Sequence, residues 1–355
     1  MDNYKSYKLP IENKGIIMID YPIYQGKPTV YLDHNILDFF VKNGLGSFGK
    51  DLAESHQVVY SDETLKEINK SQGKEDKFLE TLTLLNAFHL KIVLDEQFQP
   101  TGKATLTQRD IKEAYDEYNN KEPIPAGAND IMLMYLQKIF GGKEELSFND
   151  LRTENILLFT ALIEFIRNQC KESGSFSTTT EDYLKNLQHT FNSAVNTYTD
   201  KMNQDVPNPF GWSGVNDYRK AVKLGPKQLN NIEPPNVLKK ITDFFSQTPP
   251  YSNNISVDDF FSLHINAVYP EKPFYDYLKI TAIYNMLNII GYQPDSKLHN
   301  EKRFLASTSD QNHASMASFT DLLLSNDSNF IKKTSAIYEY LNIKTDIQNM
   351  VFIKE

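Results

Sequence analysis

The sequence predicts an α/β fold: a small parallel sheet flanked by helices, built from the two ends of the chain, with a large α-helical insertion between them. Two apolar runs carry the sheet. Thr29 to Leu32 and Leu322 to Ser325 lead into Asp33 and Asp327, and a helical pattern follows each at once. Strands that feed directly into helices are the repeating unit of a parallel sheet. In the middle of the chain, apolar residues recur every three or four positions, the signature of amphipathic helices.

Taken in order, β-branched and aromatic residues make Thr29 to Leu32 a strand, and His34-Asn35-Ile36-Leu37 opens a helix. Asp33 between them has two readings. It caps the helix, or it points into the crevice beyond the carboxyl ends of the strands, where α/β proteins bind ligands. Gln57 to Ser61 reads as a second strand and Asp62 to Ile68 as a helix, with Glu67 near the strand exit. From Glu96 to Ala128, Pro100, Pro123 and Pro125 predict a long connection holding a short helix near Gln108 to Asn119. Helices follow over Asp130 to Phe140, stopped by Gly141-Gly142, over Leu151 to Glu172, and over Thr180 to Met202. Val206 to Gly214, Pro234-Pro235 and Pro249-Pro250 break the pattern, which resumes at Val257 to Val268 and at Phe274 to Ile290. In the latter, Tyr275, Leu278, Ala282 and Met286 define the packing stripe. Ser309 is read as a helix cap, placing Asp310 in the first turn, with Ala314 and Ala317 as a close-packing face. The boundaries expected from this are 1–95 and 273–355 for the sheet core and 96–272 for the insertion.

Composition narrows the function. With 355 residues, 40% of them hydrophobic, the chain can bury a sizeable core. Gly15 to Ile19 is too short for a signal-peptide core or a membrane span. The single cysteine, Cys170, is expected to be a buried apolar group. Both features lead us to expect a cytoplasmic protein without a membrane partner. A net charge of −9 argues against a protein that coats nucleic acid generally, yet leaves room for a nuclease with an acidic, cation-holding pocket.

The strand-Asp-x-Asn motif at Asp33 to Asn35, the strand-Ser-helix-Glu motif ending at Glu67, and the Asp310 helix followed by the strand ending on Asp327 together resemble the PIN-like family of metal-dependent ribonucleases. The tail Ile337 to Thr345 looks like that family's last helix and edge strand. The resemblance covers roughly residues 25 to 95 and 285 to 350; the middle has no counterpart. It implies a PIN-like fold and a catalytic, metal-holding set of Asp33, Glu67, Asp310 and Asp327, with Glu63 and Asp321 as alternates for the second and third members. It also implies Mg²⁺ or Mn²⁺, hard cations that favour oxygen ligands. Asn35 and Ser325 then stand on the substrate side, and His313 lies behind the acids.

Lys332 and Lys333, on the helix leaving Asp327, are candidates to touch a phosphate; the other reading is a solvated helix face. Arg219-Lys220 with Lys223 and Lys227, and Lys239-Lys240, could track a nucleic-acid backbone. Phe210 and Trp212 either stack on unpaired bases or plug their loop onto the helices. The function expected is an endoribonuclease acting on RNA phosphodiesters, and the resemblance extends this to a toxin or defence effector held by an inhibitory protein partner. The alternatives are a non-catalytic RNA- or protein-binding module on the same fold, and a DNA-directed nuclease.

Overall fold

The computed structural model describes residues 24–95, 99–120, 131–249, 251, 255–264 and 272–351. Gly15 to Ile19, the whole proline-bearing stretch 121–130, Pro250 and Val268 lie outside the described residues.

Six strands form one sheet: β1 Thr29–Leu32, β2 Gln57–Ser61, β3 Phe88–Leu94, β4 Pro100–Thr107, β5 Leu322–Ser325 and β6 Asp346–Asn349. Their spatial order is β4-β3-β2-β1-β5-β6. All neighbours are parallel except β3 and β4, which pair as an antiparallel hairpin. Every residue of β1, β2 and β5 is buried, because helices cover both faces. The chain moves from β1 outward to β2 and β3, and later returns to the other side of β1 as β5. The order therefore reverses between β1 and β5, the position at which open α/β sheets leave a crevice at their carboxyl ends.

On one face lie α1 His34–Asn43, α2 Gly46–Ser55, α3 Asp62–Asn69, α4 Glu75–Leu84 and α5 Ile111–Asn120. Their apolar sides meet Val30, Leu32, Val58, Tyr60 and Leu324 of the sheet. Next come α6 Ile131–Ile139, α7 Phe148–Glu172 and α8 Thr178–Asp205, then α9 Gly214–Val222, α10 Pro226–Leu229, α11 Val237–Ser246 and α12 Val257–Phe260. The last three helices are α13 Asp276–Ile290, α14 Glu301–Ala317 and α15 Ser328–Leu341. The second face of the sheet, with Tyr31, Val59, Leu90 and Leu323, packs against residues from α9 through α15. Alternate residues of a single strand thus serve opposite cores, as the two-residue period requires.

Several expectations change. Residues 96–272 are not one helical block. Pro100–Thr107, expected in a connection, is the edge strand β4, so a boundary at 95 cuts the β3–β4 hairpin. The residues of α9 to α12 belong to the main core, through Val222, Leu229, Ile241 and Phe260. By contrast, α6 to α8 share a smaller core of Met134, Phe148 and Leu151, onto which Met202 and Trp212 pack. The helix expected over Val257 to Val268 is a single turn within the described residues. On α13 the buried stripe is Tyr277, Ile280, Ile283, Tyr284 and Leu287; Leu278, Ala282 and Met286 are half-buried beside it. The helix lies between α14 and α15, so the stripe that is aromatic and β-branched wins the interior. Cys170 is half-buried on α7 rather than enclosed. Among the described residues, no helix is long and apolar enough to cross a membrane.

Candidate functional site

Asp33 follows β1 at the N-cap position of α1, and its carboxylate makes no capping bond. It is 5% exposed. Ser325 Oγ, from β5, donates to Asp33 Oδ2 at 2.6 Å, and Asn35 Nδ2 donates to the same oxygen. Asn35 Oδ1 in turn accepts from the Asn326 backbone at 3.2 Å. Asn35 and Ser325, expected on the substrate side, thus act on Asp33 itself. Burial pushes the Asp33 carboxyl above the usual range; the charges of His313 and the Ser325 bond pull it back, and Glu67 adds to the rise.

Asp327 differs from its counterpart. Its Oδ1 accepts from the backbone of Asn329 at 2.8 Å and Phe330 at 2.9 Å, so it caps α15, and it is exposed. The two matched strand ends therefore do separate work: one caps, the other is held by side chains from across the sheet.

The expectation that Ser309 caps a helix is corrected. Asn300 is the N-cap of α14, its side chain accepting from Arg303 N at 3.2 Å, with Glu301 in the first turn. Ser309 and Asp310 consequently lie mid-helix. This places Ser309, Asn312 and His313 on one face, at helical spacing, opposite Glu63 and Glu67 of α3. Ser309 Oγ lies 2.6 Å from Glu63 Oε1 and 2.9 Å from Glu67 Oε1. Asn312 Nδ2 donates to Glu63 Oε2 at 2.8 Å, and His313 Nε2 meets Glu67 Oε2 at 2.8 Å. His313 Nδ1 is 2.8 Å from the Tyr31 hydroxyl, which is 2.7 Å from Ser61 Oγ. Both Glu63 and Glu67 thus face α14, and Glu67 is the one bonded to His313.

Burial opposes the charged forms of this pair. For Glu67 the hydrogen bond and charge of His313, with His34 behind it, outweigh burial and lower the carboxyl to about 2. For His313, burial is outweighed by Tyr31, Glu67 and Asp33, which raise the imidazole well above its ordinary 6.5. A lowered acid stabilises the fold above its unfolded value and a raised histidine below its own. In chelator, the contribution of this pair to stability is therefore expected to be fullest between about pH 4.5 and 6.5, falling towards pH 2 as Glu67 protonates and falling in alkali as His313 loses its proton. Melting curves across pH check this. His313→Gln should flatten the alkaline limb, and an unchanged limb would exclude the pairing.

Asp310 lies on the same helix, around from Ser309. Burial first, then the charges of Asp33 and Asp295, push its carboxyl well above the usual range. Asp321 sits at the opposite end of β5, where its Oδ2 accepts from Thr29 N at 2.7 Å and Thr29 Oγ1 at 2.8 Å. It is remote from the crevice.

The lysines divide. Lys332 is exposed, but Lys333 is fully buried, against the expectation of a phosphate contact or a solvated face. Its ammonium lies 2.6 Å from Asp295 Oδ1 and 3.9 Å above the Tyr284 ring. Asp295 and Tyr284 were not legible as site residues. Tyr284 is fully buried, its hydroxyl has no hydrogen-bond partner among the described residues, and burial followed by Asp295, Asp310, Asp327 and Asp33 raises its pKa. Of the other basic stretches, Lys220, Lys223 and Lys227 are exposed, while Arg219, Lys239 and Lys240 are engaged. Arg219 donates to the carbonyls of Asn288 at 2.6 Å and Ile289 at 2.8 Å, closing the end of α13. Lys239 pairs with Asp243, and Lys240 donates to the Glu233 carbonyl. Trp212 packs edge-on to Phe148, while Phe210 is exposed.

The switch point thus gathers Asp33, Asp310 and Glu67 into one electrostatic neighbourhood. Among the described residues, no three His, Cys, Asp or Glu side chains stand in an arrangement ready to hold a metal ion. Much of the oxygen capacity is committed to capping and to the α3–α14 contacts. The chain matches no family model, no curated protein and no solved structure.

Proposed function

We propose that the chain is a Mg²⁺- or Mn²⁺-dependent endoribonuclease with its centre at Asp33 and Asp310, assisted by Asp327 and Glu67. The observation that carries this reading is Asp33 itself. A buried carboxylate at a helix start that caps nothing, and whose oxygen is held by Ser325 and Asn35, carries a charge that burial penalises where a neutral acceptor would satisfy the same two donors. Such a cost is characteristic of functional carboxylates.

The residues fit a hard cation in their chemistry. Asp33 and Asp310 repel one another, and either carboxylate would hold a divalent ion whose charge offsets the repulsion and the burial cost. Mg²⁺ commonly binds through one or two carboxylates and keeps its waters, so a cage of three protein ligands is not required. When bound, the ion supplies polarisation of the phosphodiester and a more acidic attacking water. Ser325 and Asn35 fix one oxygen of Asp33 and orient the other. His313 holds Glu67 in its ionised form. RNA as the substrate rests on the motif resemblance.

The second reading, a non-catalytic RNA- or protein-binding module, draws support from the capping role of Asp327 and the full engagement of Glu67. Purified chain incubated with single-stranded RNA, structured RNA and DNA, with Mn²⁺ or with chelator, separates the two. Metal-dependent cleavage of RNA is expected. Binding of RNA without cleavage under any metal would leave the module reading in place, and preferential cleavage of DNA would replace the substrate.

A further inference from the structure

Beside the acidic centre lies a cleft of about 510 Å³, between the exits of β2 and β3 and the helices α13 and α14. Its size is that of a small-molecule site. We propose that it receives one unpaired nucleobase of the RNA strand and selects bases that carry an exocyclic amine, an assignment that rests on the ribonuclease reading for its placement beside a scissile bond.

The two walls differ in chemistry. Ile92, Leu278 and Met316, all half-buried, give an apolar surface on which the flat face of a base can lie. The polar part of the lining is Asp62 and Glu63 at the start of α3, with Asn312 one helical turn before Met316 on α14. Ionised carboxylates accept hydrogen bonds and donate none. They suit the amine of adenine or cytosine, whereas uracil turns carbonyl oxygens towards the same place. The lining also holds one cation, Lys91, and desolvation of these charged groups disfavours a purely apolar ligand.

The polar wall is set before any ligand arrives. Asp62 Oδ1 is 2.8 Å from Nε2 of the buried His89, whose ring stacks on Tyr60 with centroids 4.7 Å apart. Glu63 is fixed by Asn312 at 2.8 Å and by Ser309 at 2.6 Å. At the base of the cleft, Ser315 Oγ donates to the Tyr277 carbonyl at 2.8 Å and lies 3.1 Å from Thr281 Oγ1. A wall already ordered loses little entropy on binding. Ser309 bridges Glu63 of this wall to Glu67, so the cleft and the acidic centre share a boundary, and a strand with one base in the cleft would lay its backbone towards Asp33.

The test titrates the full chain, in chelator, with the 5′-monophosphates of adenosine, cytidine and uridine, followed by calorimetry or ligand-observed NMR. Adenosine or cytidine monophosphate should bind at least tenfold more tightly than uridine monophosphate. Leu278→Trp, which fills the cleft, should weaken that binding at least tenfold. Asp62→Asn, which adds a donor to the polar wall, should narrow the preference; it also serves if Leu278→Trp melts below the wild type. Equal binding of all three nucleotides, or a preference that survives both variants, overturns the proposal. Because no metal or turnover is involved, the two readings fail separately: base selection without RNA cleavage keeps the cleft and removes the nuclease, and metal-dependent cleavage without base selection does the reverse.

Discussion

Asp33→Asn is expected to lower metal-dependent RNA cleavage on the order of 10²–10³-fold, the loss typical when one electrostatic stabiliser of a transition state is removed. The same substitution should leave folding stability unchanged or slightly higher. Asn retains an oxygen to accept from Ser325, which lies 2.6 Å from the carboxylate, and it carries no charge into a site that is 5% exposed. The sign follows from the raised carboxyl. A native pKa above the unfolded value means that stability falls as pH rises through that interval, because the unfolded chain ionises more readily. Asn removes this dependence. Asp33→Ala differs: it leaves the donors of Ser325 and Asn35 without their acceptor, at a cost of about 1–3 kcal/mol. Cleavage assays and urea denaturation on both variants check the pair of outcomes. Cleavage retained in Asp33→Asn would remove Asp33 from the chemistry, and a large destabilisation by the same change would make its role structural.

The sheet was legible because its central strands are buried on both faces and so appear as unbroken apolar runs. β1, β2 and β5 all announce themselves this way. β4 did not. As an edge strand it carries Pro100, Gly102 and Lys103 and is only partly covered, a composition that also describes a connection. The α14 start was missed for a related reason: Ser309 and Asn300 are both good caps, and local chemistry does not say which one begins the helix. Once α14 is extended, the spacing of Ser309, Asn312 and His313 against Glu63 and Glu67 becomes a signal that the sequence did contain. Asp33 and Asp327 looked equivalent as strand ends. They separate through their partners: Asp33 is held by Asn35 and by Ser325 almost the whole chain away, while Asp327 caps its own helix. Asp295 and Tyr284 had no periodic or motif signal. Their importance comes from Lys333, whose burial cannot be read from a residue type that is mostly exposed.

Lys333→Met is expected to cost about 3–5 kcal/mol of folding stability, the penalty for leaving a buried charge without its partner. The ammonium is completely enclosed, and burial lowers its proton affinity, with the charge and hydrogen bond of Asp295 pulling in the other direction and Asp310 and Asp327 adding to that pull. Asp295 also accepts from Ser307 at 2.6 Å and Asn288 at 3.0 Å, so the carboxylate is held where it is and cannot swing out to water when the lysine is gone. Asp310 then keeps His313 but loses the second of the two cations that draw its carboxyl down, and should hold its proton more firmly. Replacing both partners, Lys333→Met with Asp295→Asn, should recover most of the loss, because the orphaned charge is removed while an amide oxygen remains to accept from Ser307 and Asn288. A lysine that contacts phosphate behaves otherwise: its loss weakens RNA binding, reduces the salt dependence by roughly one counterion, and changes stability little. Urea denaturation of the single and double variants, beside RNA binding across a salt series, distinguishes the two. A stable Lys333→Met protein with a shallower salt slope would make this lysine a phosphate contact, and a destabilised one rescued by Asp295→Asn makes it the buried partner of Asp295.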